Sequence, residues 1–123
     1  MTQSKTQTNL RLAIIGMLTF TGIFHILVAA LSPASGWAVG LTVFGFIYAG
    51  LGYYVRADTN DGSKTGSRNA IIAALVVCTI GLVLGTIRFT QDGGPGAVTI
   101  MFGIDALIIA AAIAWLLGAR KPS

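Results

Sequence analysis

Two side chains in this sequence could move a proton or hold an ion inside what otherwise reads as hydrocarbon. One is His25, the only histidine, in GIFHILVAALSP (residues 22–33). The other is Asp105, in FGIDALII (residues 102–109). A histidine beside a carboxylate can pass a proton near neutral pH. An unpaired Asp at the middle of a membrane-spanning helix costs about 2.5–3.5 kcal/mol, so Asp105 calls for a partner, a proton or a use. Arg88 is a second candidate partner, and Thr21 and Thr86 lie at similar depth. The expected site is therefore a polar cluster of His25, Asp105 and Arg88, with Thr21 and Thr86 beside it. Plainer roles compete for the same residues. His25 could tie helices together through a carbonyl or a threonine, Arg88 could snorkel to an interface, and Tyr48 could be core packing with its hydroxyl satisfied.

Several chemistries are excluded. One His and one Cys cannot build an all-protein tetrahedral zinc site, and one His could supply only a single axial haem ligand. Ser32, the nearest serine on the face of His25, is two turns away, so a Ser–His–Asp triad is not credible. A lone cysteine, Cys78, allows no intramolecular disulfide and reads as a small buried hydrophobe. No catalytic residues, metal or cofactor are expected.

The elements that must position His25 and Asp105 follow from composition. Of 123 residues, 54% are hydrophobic and 10% charged, and mean hydropathy is +0.81. A soluble domain carries about 25% charged residues. The charges cluster and leave four apolar runs, Leu12–Leu31, Trp37–Val55, Ala70–Ile87 and Val98–Leu117, each long enough to cross a bilayer as a helix. The expectation is an all-α integral membrane protein, a bundle of four transmembrane helices forming one domain over residues 1–123. Lys5, Arg11, Arg56, Lys64, Arg68, Arg120 and Lys121 fall on one side and only Arg88 on the other. The positive-inside rule then puts both termini in the cytoplasm. Tyr53, Tyr54 and Trp115 near the inner ends, with Trp37 and Phe89 near the outer ends, fit aromatic belts. The basic residues form no face with interleaved aromatics, which argues against nucleic acid as a partner.

The chain also reads as duplicated. RLAIIGML (11–18) matches RNAIIAAL (68–75), and SKT precedes each. Each half then has a short turn, a second helix with Phe-Gly (Phe44-Gly45, Phe102-Gly103) and a closing Arg (Arg56, Arg120). The units are two helical-hairpin repeats, about 11–56 and 68–120, joined by a polar cytoplasmic linker, 57–69. Two spans per unit make the repeats parallel. A signal peptide cleaved at SPAS is the competing reading of the first helix, but its counterpart in the second repeat is internal. GSKT in the linker only faintly resembles a phosphate-binding loop, lacking the glycines and strand such a loop needs.

Small residues at helix-packing spacing occur in three spans: Gly36 and Gly40 with Gly45 and Ala49, Gly81 with Gly85, and Ala110 with Ala114. Such seams allow close helix approach in lipid. Around the first helix, Leu18, Thr21, Gly22, His25, Ala29 and Ser32 share a small, partly polar stripe expected to face the bundle interior. Two functions follow. The first is a non-catalytic accessory or scaffold subunit of a prokaryotic inner membrane, associating with itself or a larger complex. The second is a small transporter or channel subunit coupling ions or protons at His25 and Asp105. The resemblance to small bacterial four-span proteins is one of architecture alone.

Overall fold

The four apolar runs fold as four helices, α1 Lys5–Leu31, α2 Ala38–Ala57, α3 Lys64–Asp92 and α4 Ala97–Arg120. Each is long and apolar enough to cross a membrane. The computed structural model describes residues 5–31, 36–57, 64–94 and 96–120, so Ser32 and residues 58–63 of the polar linker lie outside the described residues. The described end of that linker, 64–69, is the first turn and a half of α3. Large apolar side chains such as Phe20, Leu31, Val39, Phe46 and Leu107 stand on the outside. So much outward apolar surface is unfavourable in water and favourable in lipid.

The helices form a four-cornered ring. α1 packs most closely on α2, α3 packs on α4, and α4 closes back on α1; α2 and α3 share the sparsest contact. The α1–α2 seam is tight because two backbones touch. A Cβ on Gly22 would lie 2.7 Å from the Ala49 nitrogen and 2.8 Å from the Gly45 carbonyl oxygen, and one on Gly45 would lie 2.8 Å from the Gly22 oxygen. Gly52 continues the seam against Thr19.

The other small residues take different positions. Gly36 precedes α2 with φ of +80°, so it belongs to the turn and not to a helix seam. Gly40 has open space where a Cβ would stand. Gly81 and Gly85 receive the Tyr48 hydroxyl and the Phe102 ring. Ala110 and Ala114 are exposed on the outer face of α4.

Two apolar clusters fill the interior. One, around Ile14, Leu18, Ile71, Ile108 and Trp115, lies toward the chain termini. The other, around Val28, Trp37, Leu41, Val98 and Met101, lies toward the two short connections. Among the described residues, the buried polar or charged ones are Thr21, His25 and Asp105, and they fall between the two clusters.

An aromatic clasp closes the end near the short connections. The Trp37 indole N–H donates to the Gly93 carbonyl at 3.1 Å. The Arg88 guanidinium sits 4.9 Å from the Trp37 ring centroid and donates to the Gly36 carbonyl at 2.6 Å. Gly93 ends α3 with φ of +69°, its N–H donating to the Phe89 carbonyl. Trp37→Phe keeps an aromatic ring but removes the indole donor. It is expected to cost about 1 kcal/mol, read as a lower thermal unfolding midpoint in detergent.

Candidate functional site

The site starts on α1. Leu18, Thr21, Gly22, His25 and Ala29 share a buried stripe, while Phe20, Ile23 and Leu27 on the opposite side are exposed. Helical spacing alone produces that division. His25 Nδ1 lies 2.6 Å from the Thr21 carbonyl oxygen and 3.2 Å from the Thr21 hydroxyl. A carbonyl can only accept, so Nδ1–H donates to it. The lone pair of the neutral ring is then on Nε2.

Asp105 enters from α4, and Tyr48 from α2 joins the two. The Tyr48 ring meets the His25 ring edge-on, with centroids 4.9 Å apart and planes at 76°. The Tyr48 hydroxyl donates to the Asp105 carboxylate. Gly81 on α3 makes room for that hydroxyl. His25, Tyr48 and Asp105 are 5%, 1% and 2% exposed, so this chain of polar groups is buried in the interior of the bundle. Asp105 Oδ1 is buried with no hydrogen-bond partner among the described residues. An unsatisfied buried acceptor costs about 1–3 kcal/mol, and more when it is charged.

A cavity of about 140 Å³ lies directly against two of these groups. His25 and Asp105 line it together with apolar walls that include Leu41, Phe44, Met101 and Phe102. Its lining residues Gly40, Leu84 and Arg88 are exposed, which puts its open side between α2 and α3, the loosest edge of the ring. No known protein family, curated protein or solved structure matches the chain. The chemistry of this cavity therefore has to carry any functional reading.

Of the residues singled out from the sequence, His25, Thr21 and Asp105 gather in the interior and Arg88 stands at the cavity rim. Thr86 is exposed and does not line the cavity. Tyr48 is packed in the core with its hydroxyl satisfied, as its sequence reading expects, and the group that satisfies it is Asp105. Its depth, near the middle of α2, is legible in the sequence, but its partner on α4 is not.

The Gly81 approach gives a direct test. A methyl group in Gly81→Ala would occupy the place of the Tyr48 hydroxyl and push it off Asp105. The expected cost is about 1–3 kcal/mol of stability. Tyr48→Phe removes the obstructing oxygen, so the double variant should lose less than the sum of the two singles. Thermal unfolding of the four proteins in detergent measures that coupling.

Proposed function

We propose that this protein is a small transporter or channel subunit of a prokaryotic inner membrane, with both termini cytoplasmic. In this reading His25 and Asp105, bridged by Tyr48, form a proton- or ion-coupling site. One observation carries it: a histidine and an aspartate buried between apolar clusters line the same cavity, and one carboxylate oxygen has no partner among the described residues. A histidine serving only as interhelical glue would need no such cavity. The two groups differ in role. Asp105 is the carrier, because its free oxygen must take a proton or a cation. His25 passes a proton through Nε2, with its ring orientation fixed by Thr21.

Internal duplication supports this arrangement. An offset of 57 residues relates Arg11 to Arg68 and RLAIIGML to RNAIIAAL. The same offset pairs buried Ile14 with Ile71, Thr21 with Cys78, Leu41 with Val98, Tyr48 with Asp105, and Val55 with Ala112. In two parallel hairpins, equivalent inward positions meet near a common axis, as the Tyr48–Asp105 hydrogen bond does. Duplication would also make the α1–α4 and α2–α3 edges equivalent. The first is closed and the second is loose, so the cavity lies where the two repeats differ.

The test is proton uptake by sealed vesicles containing the purified chain, followed with an internal pH-sensitive dye under an imposed gradient. Uptake above protein-free vesicles supports the reading. No uptake in either direction of the gradient, by folded protein, removes it.

The accessory-subunit reading keeps one observation of its own. Gly103, Ala110 and Ala114 lie exposed on one side of α4, where a second helix could approach closely. Mass measurement after gentle extraction from the native membrane tests it. A larger protein present in fixed ratio supports an accessory role, and a lone defined oligomer counts against it.

A further inference from the structure

We propose that the cavity between α2, α3 and α4 binds a small organic ammonium ion, an apolar amine of about the size of benzylamine, with its nitrogen on Asp105 Oδ1. The proposal rests on the coupling-site reading above and names the class of substrate that site takes.

Size comes first. The cavity holds about 140 Å³, and an apolar cavity of about 150 Å³ in another protein accommodates benzene. The ligand is therefore one ring, or a short branched chain, with one polar group. The walls set its body. Leu41, Phe44, Leu84, Val98, Met101 and Phe102 offer apolar surface, aliphatic, aromatic and thioether.

The polar group must be a donor, because what the cavity leaves unsatisfied is an acceptor. Tyr48 already donates once to the Asp105 carboxylate, and Oδ1 awaits a second donor. A cationic donor fits better than a neutral one. Charge-assisted hydrogen bonds are about twice as strong as neutral ones, and aromatic faces such as Phe44 and Phe102 attract cations further. An anion would meet the Asp105 carboxylate, and a hydrocarbon would leave Oδ1 unsatisfied.

Arg88 does not supply the missing cation, since its guanidinium lies on Trp37 and donates to the Gly36 carbonyl at the rim. On α3 it stands seven residues beyond Gly81, roughly 10 Å along the helix, which keeps it clear of the ammonium position. The loose α2–α3 edge gives the amine a lateral route from the bilayer. Asp105 then holds either a proton or the ammonium ion, and exchange of one for the other couples their movements.

Calorimetric titration of the full chain in lipid nanodiscs tests this. The probes are benzylamine and its neutral isostere benzyl alcohol. Wild type is expected to bind benzylamine saturably, with benzyl alcohol at least about tenfold weaker. Asp105→Asn should weaken benzylamine by a similar factor. Gly40→Leu grows a side chain from a cavity-lining position with open space and should reduce binding while leaving Asp105 in place. It serves if Asp105→Asn fails to fold. The proposal is overturned if the two probes bind equally, if benzylamine affinity survives both substitutions, or if folded wild type shows no saturable binding. Proton uptake without amine binding would remove the ammonium assignment and leave the coupling site. Asp105-dependent amine binding without proton uptake would do the reverse.

Discussion

Vesicles carrying Asp105→Asn are expected to take up protons about a hundredfold more slowly than wild type, the lower end of what a positioned proton-transfer group contributes. Asn has nearly the shape of Asp, and its carbonyl oxygen can still accept from the Tyr48 hydroxyl. It cannot hold an exchangeable proton or balance a cation. The substitution therefore separates chemistry from folding: flux should fall while the thermal unfolding midpoint stays close to wild type or rises. His25→Leu should act in the same direction by removing Nε2, at some cost in packing against Tyr48, 4.9 Å away. If the two groups serve one path, the double variant should be no slower than the slower single variant. Unchanged uptake in both single variants, with the protein folded, would end the coupling reading. If both changes instead altered only assembly, the accessory reading would take its place.

Periodicity and depth carried part of this site, and helix rotation carried the rest. The stripe holding Thr21, Gly22 and His25 is legible because one helix face of α1 is small and the other is Phe, Ile and Leu. Counting residues from the span ends puts His25 and Asp105 at similar depth. Depth says nothing about azimuth, however. Thr86 sits at a suitable depth but one residue, or about 100°, past Gly85, and so lies outside the cavity. Tyr48 reaches Asp105 only because α2 and α4 occupy opposite corners of the ring and Gly81 leaves space for the hydroxyl. A single sequence does not show which corner a helix occupies. The small-residue motifs mislead for a related reason. A search within one helix finds Gly36 with Gly40, but the closest backbone approach pairs Gly22 with Gly45 across two helices. Gly22 has no glycine one turn away in its own helix to advertise it.

That crossing carries the largest expected effect on stability. In Gly22→Ala the new Cβ would stand 2.7 Å from the Ala49 nitrogen and 2.8 Å from the Gly45 oxygen. Both are main-chain atoms in the middle of α2 and cannot swing aside as a side chain tip would. The helices must separate along the tightest seam in the bundle, and the expected loss is about 3 kcal/mol, the upper end for overpacking a filled interior. Gly16, six residues earlier in α1, is the matched control, since its Cβ would meet nothing within 4 Å. Gly16→Ala should be neutral or stabilising by up to about 1 kcal/mol through helix propensity. Thermal unfolding of both variants in one detergent measures the contrast, and equal midpoints would mean that α1 and α2 do not cross at Gly22. The same separation would reach the site. His25 is three residues beyond Gly22 and meets Tyr48 across this seam. If His25 and Asp105 couple protons, Gly22→Ala should slow uptake in vesicles even at temperatures where the variant remains folded.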